Sequence, residues 1–401
     1  MSSRDQVRML AALGALIDGS HLVVPDQLPR VIDEAFEPLG WRVVVYLVDF
    51  DQQTLRPIDP IGKLLDEESV AGSLAGRCFR HSVPIASRQP QPHTWIPLID
   101  GVDRLGVVRL ELPPQTTLDD PTVEPVVRWA VYLIAHLIAS KSLYTDYFHR
   151  VRLSGQRSVP SELIWSVLPP LTVAAEGIAI SGWLEPNGSV AGDIFDYAID
   201  GQTAHFAIAD ATGHDLNAAV VGALIMAAYR SGRRRSADLP AVLEGLDRVL
   251  ASYADDTYAS AVFAELDVRS GVLRYVNAGH PFPLLMRGGK VVKSLDGGRR
   301  ILLGFPGRPV TVGRETLEPG DWVVLYTDGV TEARDTDGRM FGLDRLVDLV
   351  QRCAADRQNA AETLRHIVHE VLRHQQGILQ DDATMVVAQW MTTLEYELTA
   401  T

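Results

Sequence analysis

In the C-terminal half of the chain, four strand-like apolar runs begin or end on an aspartate, and no other feature constrains the fold as much. The segment VVLYTDGVTEARD (323–335) ends a buried-looking strand at Thr327-Asp328-Gly329. Taken alone, Asp-Gly is ordinary turn chemistry. Three further segments repeat the pattern. SVAGDIFDY (189–197) places Asp193 in a glycine-containing break. AHFAIADATGHD (204–215) ends a strand on Asp210, followed by Ala211. LQDDATMVV (379–387) places Asp381 and Asp382 just before the last apolar run. If these strands converge, several negative charges lie close together. That arrangement costs several kcal/mol unless protons or cations neutralise it.

Composition narrows the choice of cation and partner. The chain has two cysteines, Cys78 and Cys353, far apart in sequence, with no paired spacing for zinc or a disulfide framework. A reducing, cytoplasmic setting is expected. Oxygen donors without thiolates select Mg²⁺, Mn²⁺ or Ca²⁺. Two such ions about 3.5–4 Å apart form an established arrangement for hydrolysing phosphate esters. The formal net charge of −14 and pI near 5.2 argue against a nucleic-acid partner, which needs a basic face. The longest apolar run near the start covers 9–17, too short to span a membrane, and no signal peptide or membrane association is expected.

Periodicity divides the chain. Helical spacing over 1–18 and 25–39, a strand at 41–51 and a strand pair over 94–112 turning at Asp100-Gly101 predict a compact α+β unit. The segment 123–152 reads as one long amphipathic helix, and RLSGQRSVP (152–160) marks a boundary. From 178 onward, short strand-like runs alternate with turn residues, including a hairpin at Gly288-Gly289. Helices are predicted at 211–230, 342–352 and 360–374, before a final strand at 383–390. The pattern is a large, mostly antiparallel α+β domain.

The ordered segments LIWSVLPP, GWLEPNGSVAGDIFDY, FAIADATGHDLNAA, YASAVFAELDVRSGVLRYVNAGHPFPLLMR, LYTDGVTEARDTDGRMFG and DDATMVV resemble the metal-dependent protein phosphatases (PPM family), in the branch typified by the sporulation stage II E phosphatase. The resemblance implies an αββα sandwich over 158–395 and a centre of two Mn²⁺ or Mg²⁺ ions. By motif position it implies metal ligation by Asp193, Asp210, the carbonyl of Ala211, Asp328 and Asp381, with Asp210 and Asp328 central to catalysis. Ala191 departs from the family's usual second glycine, and His214 in Gly213-His214-Asp215 departs from its usual pattern there, where capping the next helix is the favoured role. WRVVVYLVD, GSLAGRCFRHSVP and WIPLIDGVDRLGVVRLEL resemble a GAF domain over 1–120, joined by a helical linker over 121–157. A small-molecule or protein ligand would bind the GAF-like domain.

Several readings stay open. The apolar stripe of 123–152 either pairs two chains into a homodimer or packs on its own domain. His280 in NAGHP is either a general acid or, by preference, a loop-holding residue, and Asp382 is a supporting neighbour of Asp381. Asp335 and Asp337 read as Asx-turn residues, and Cys78 as core. The functional expectation is a phosphoserine/phosphothreonine protein phosphatase, gated by the GAF-like domain and acting on a phosphorylated anti-anti-sigma-like protein in a partner-switching pathway. The alternative is a scaffold that recruits a phosphoprotein without turnover. An aspartyl-phosphate phosphohydrolase would need a parallel α/β pattern that the sequence lacks.

Overall fold

The structure is a computed structural model that describes residues 3–58, 65–88, 91–155, 157–186, 192–213, 216–254, 257–356, 358–377 and 379–391. The chain divides into two units, Met1–Gln156 and Arg157–Thr401.

The first unit runs α1 (Ser3–Ser20), α2 (Leu28–Phe36), β1 (Arg42–Val48), β2 (Thr54–Ile58), β3 (Glu68–Ser69), α3 (Leu74–His81), β4 (Ile85–Ser87), β5 (His93–Asp100), β6 (Asp103–Glu111), α4 (Glu124–Ser142) and α5 (Tyr147–Arg152). Its antiparallel sheet has the order β3-β2-β1-β6-β5-β4. Strand β1 is apolar on both faces because both are covered. Val43, Val45 and Leu47 pack with α1, α2 and α4, whereas Val44, Tyr46 and Val48 pack with Cys78 and Phe79 of α3. The expected turn at Asp100-Gly101 is present, with Asp100 opposite Asp103.

The segment expected as one helix over 123–152 is two. Ser140 and Ser142 turn their hydroxyls back onto the carbonyls of Leu137 and Ile138, and the Thr145 hydroxyl accepts from the Tyr147 N–H as α5 begins. Such local bonds compete with helix continuation. The stripe Val126, Val127, Ala130, Val131, Ile134 and Ile138 is buried in the core of its own unit, so the segment set apart as a linker folds as part of that unit.

The second unit runs α6 (Val159–Val167), β7 (Thr172–Ala175), β8 (Ile178–Glu185), β9 (Asp193–Asp200), β10 (Thr203–Ala211), α7 (Leu216–Arg234), α8 (Leu239–Tyr253), β11 (Ala259–Asp267), β12 (Val272–Ala278), β13 (Leu284–Arg287), β14 (Lys290–Ser294), β15 (Arg299–Arg300), β16 (Gly313–Thr316), β17 (Trp322–Tyr326), α9 (Asp328–Thr331), α10 (Leu343–Ala355), α11 (Ala360–His374) and β18 (Ala383–Trp390). One sheet orders β15-β12-β11-β10-β9, with β16 on β12. The other orders β14-β13-β17-β18-β8-β7. Alternation along the strands builds the layers. Phe195, Phe206, Ile208, Ile180, Leu325 and Val386 fill the space between the sheets. Met385, Val387, Trp322 and Val324 point the other way, onto α10 and α11, while α7 and α8 cover the first sheet. This is the expected αββα layering. Helix α8 was not anticipated, although Asp238 caps it by accepting from the Ala241 N–H at 3.0 Å, with Pro240 in its first turn.

The sheets meet closely at Gly182 of β8, where a Cβ would lie 2.4 Å from the Phe195 ring. Gly182→Val should therefore overpack the inter-sheet layer and destabilise the unit by about 1–3 kcal/mol. A thermal melt should show Tm lowered by several degrees, and an unchanged Tm would contradict this packing.

Candidate metal centre

Antiparallel pairing places Asp193, the first residue of β9, directly opposite Asp210, near the end of β10. Opposed residues share a face. For this pair it is the inner face, shared with Phe195 and Ile208. The neighbouring residue on β11 is Ser260, opposite Asp210. From the other sheet, β17 delivers Thr327 and then Asp328 at the start of α9, and the residues entering β18 deliver Asp381 and Asp382. The four sequence-predicted aspartates thus share one end of the sandwich, and Ala211 adjoins Asp210 with its carbonyl beside Gly192.

The electrostatics record the convergence. Asp193 is buried, and its carboxyl is held well above the usual range by burial, then by Asp210 and Asp382. Asp210 is pushed up to about 7 by burial, then by Asp328, Asp381 and Asp382. Desolvation and like charge act in the same direction on a carboxylate.

Polar contacts between the sheets hold the group. The Thr327 hydroxyl donates to Asp193 Oδ2 at 2.8 Å and accepts from the Thr384 N–H at 3.0 Å. The Gly192 N–H donates to Asp382 Oδ2 at 2.6 Å. Asp381 is exposed, whereas Asp382 is buried and is the member that reaches Asp193. Parity explains the difference, because Asp382 shares the inward phase of Thr384, Val386 and Ala388. Two glycines permit the approach. A Cβ on Gly329 would lie 1.9 Å from the Asp382 carbonyl oxygen, and one on Gly192 would lie 2.7 Å from that of Ala211. Gly192 and Gly329 act as the small flanking residues expected beside the aspartates, whereas Thr327 and Thr384 carry no sequence expectation of their own. The signal for the two threonines was their position beside the aspartates in YTDG and DDAT.

His280 is buried and bonds through Nδ1 to the Ser260 hydroxyl at 2.5 Å, while Asn277 brackets its backbone. Burial pulls its pKa down to about 3 despite a contact with the Tyr326 backbone. Its bond to Ser260 and the two bonds between Asn277 and its backbone hold the loop in place. Asp335 forms the expected Asx turn, accepting from the N–H groups of Asp337 and Arg339, and Cys78 lies in the core. Ala191, His214 and Asp215 lie outside the described residues. Among the described residues, no three acidic, histidine or cysteine side chains close into a ligand cage, and no helix is long and apolar enough to cross a membrane.

Comparison with known proteins shows what the second unit is similar to. Residues 200–391 match the family described as Stage II sporulation protein E (SpoIIE). The chain is similar to phosphoserine phosphatase RsbU of Bacillus subtilis (strain 168), 26% identical over 214 residues, covering 53% of this chain and 63% of that one. It is also similar to protein IcfG of Synechocystis sp., 30% identical over 130 residues, covering 32% and 20%. The chain thus spans less than two thirds of each of these relatives. Among solved structures, the RsbU and RsbW domains of a Mycobacterium tuberculosis protein align at 26% identity over 54% of this chain and 62% of that one, with a TM-score of 0.48. Within the second unit, residues 200–391 are thus similar to the family described as Stage II sporulation protein E (SpoIIE), to which the match extends over just under half of the chain.

Proposed function

We propose that the second unit is a divalent-metal-dependent phosphatase acting on phosphoserine or phosphothreonine in a protein, and that the GAF-like first unit regulates it. The observation that carries this reading is the inward-facing Asp193–Asp210 pair, with Asp328, Asp381 and Asp382 in electrostatic range. The SpoIIE match and the similarity to a phosphoserine phosphatase support the substrate class. By the same resemblance, the substrate is a phosphorylated anti-anti-sigma-like protein in a partner-switching pathway.

The donor set fits Mg²⁺ or Mn²⁺, since it is all oxygen and rich in carboxylates. A closed cage is not needed, because Mg²⁺ is usually held through one or two carboxylates and keeps several waters. Asp193, Asp210, the Ala211 carbonyl, Asp328 and Asp381 would hold a pair of ions. When bound, such ions polarise a phosphate ester and make water acidic enough to ionise near neutral pH. The chain's own residues set the stage. Thr327 fixes the Asp193 carboxylate through its hydroxyl. Gly192 and Gly329 let the acid-bearing segments approach. His280, neutral, braces Ser260 beside Asp210 and the backbone of Tyr326.

Three outcomes follow from this geometry. First, p-nitrophenyl phosphate hydrolysis should require Mn²⁺ or Mg²⁺ and fall on the order of 100-fold or more in Asp328→Asn and Asp193→Asn. A folded chain without turnover would favour the recruiting scaffold. Second, Thr327→Val should weaken Mn²⁺ binding by about 10–100-fold by calorimetry, and unchanged affinity would remove Thr327 from the site. Third, Asp210 has a raised folded pKa, so between the ordinary carboxylate value and about 7 the folded state keeps a proton that the unfolded state has lost. Stability of the chelated protein therefore falls as pH rises through that window. Its Tm should drop from pH 5 to pH 8, and Mn²⁺ should bind more tightly at pH 8 than at pH 6. A flat pH profile would show that Asp210 does not carry the cluster's proton.

A further inference from the structure

The geometry points to a docking lip for an anionic, partly apolar segment of the phosphoprotein substrate, formed by the loop 299–308 with Tyr258. It rests on the phosphatase reading and adds to it the chemistry of the segment around the phosphorylated residue.

The lip lies beside the acid cluster. β11 begins at Ala259, which pairs with Ala211, and Leu303 exchanges backbone hydrogen bonds with Ala259 at 2.9 and 3.4 Å. The Tyr258 carbonyl accepts from the Thr212 hydroxyl at 2.7 Å, two residues beyond Asp210. Tyr258, Ile301 and Phe305 are exposed here at 38%, 46% and 42%. Single exposed apolar residues are ordinary. Three on one fixed edge beside a reactive centre mark a contact surface.

The loop is held at considerable expense of buried charge. Asp247 of α8 and Arg300 pair at 2.8 Å with side chains only 1% and 2% exposed. The same Asp247 accepts from the Gly304 N–H at 3.0 Å, so one carboxylate fixes both ends of the segment that presents Ile301. Gly304 has φ +98°, and a Cβ there would lie 2.3 Å from the Thr257 carbonyl oxygen. Burying a charge pair is a poor way to add stability. Here it gives a rigid backbone that keeps apolar side chains in water, as a preorganised recognition surface requires.

The charge of the loop selects the occupant. The chain carries −14 overall, yet the stretch 297–314 has no carboxylate and four arginines, Arg299, Arg300, Arg308 and Arg314. Arg300 is neutralised by Asp247. Arg299 lies over the Phe282 ring at 4.5 Å, and Arg308 is exposed. A phosphorylated segment brings about −1.5 to −2 charge from its phosphate alone. A locally basic, apolar lip complements acidic and apolar residues flanking that phosphate.

The test uses the full chain with Mn²⁺ and two fluorescein-labelled phosphoserine peptides of equal length, one with Glu and Leu flanks and one with Lys and Gly flanks. Anisotropy reads binding without turnover. The full chain should bind the Glu/Leu peptide about tenfold more tightly. The double variant Phe305→Ser, Arg308→Glu should abolish that preference while leaving p-nitrophenyl phosphate hydrolysis unchanged. Equal binding of the two peptides, or a preference retained in the variant, overturns the lip. Equal loss of p-nitrophenyl phosphate hydrolysis and peptide binding would assign the loop a structural role and also overturn it. Preferential binding with no hydrolysis of either substrate would sink the phosphatase reading and leave the lip standing.

Discussion

Asp193 and Asp210 face each other across adjacent strands, and much of the second unit is arranged to keep them there. Like charges directly opposed in a sheet repel, and burial strengthens the repulsion by removing water. A flexible pair would move apart. These two cannot, because β10 lies between β9 and β11 within a continuous sheet. Their inner face is closed by the second sheet. The repulsion is therefore stored in the raised proton affinities of both carboxyls.

The contacts between the two sheets change character along their length. Over most of the interface they are apolar, from Ile180 and Leu325 to Phe206 and Ile208. At the acid end they become polar: Thr327 to Asp193, Gly192 to Asp382, and Ser260 to His280 beside the Tyr326 backbone. Hydrogen bonds in a low-dielectric interior are directional and strong, and an unmade one is expensive. This polar end thus fixes the relative position of the sheets more sharply than the apolar layer does. Gly329 and Gly192 add the steric half of the same constraint, since no side chain fits at either position.

Much of this was legible in the sequence, for reasons that can be named. Strand ends carrying aspartates were visible at Asp193, Asp210, Asp328 and Asp381, because apolar runs and turn residues are local signals. The pairing register that sets Asp193 opposite Asp210 was not, because register is a long-range property. The roles within Asp381-Asp382 were recoverable from strand parity, since Asp382 is in phase with Val386 and Ala388. Helix α8 was recoverable too, from the Asp238 cap, Pro240 and the spacing Leu239, Val242, Leu243, Leu246, Leu250. The break after Ser142 was not, since no glycine or proline marks it and the serines act through their hydroxyls.

The buried acids of this unit fall into two groups, and the contrast bears on function. Asp196, Asp247 and Asp321 have side chains only 1% exposed, and each holds an arginine: Arg230 and Arg233 at 2.7 Å, Arg300 at 2.8 Å and Arg287 at 2.6 Å. That is how a buried carboxylate is ordinarily tolerated. Among the described residues, no ion pair reaches Asp193 or Asp210; the Asp193 carboxylate is met by the Thr327 hydroxyl, which carries no charge. The unit therefore has the means to neutralise a buried aspartate with its own cations and uses them at these three positions. At the acid end it leaves negative charge concentrated and geometrically fixed. A structure indifferent to that charge would gain stability by losing it. Held in place by Thr327 and by the close approach at Gly192 and Gly329, that charge fits the proposed cation site.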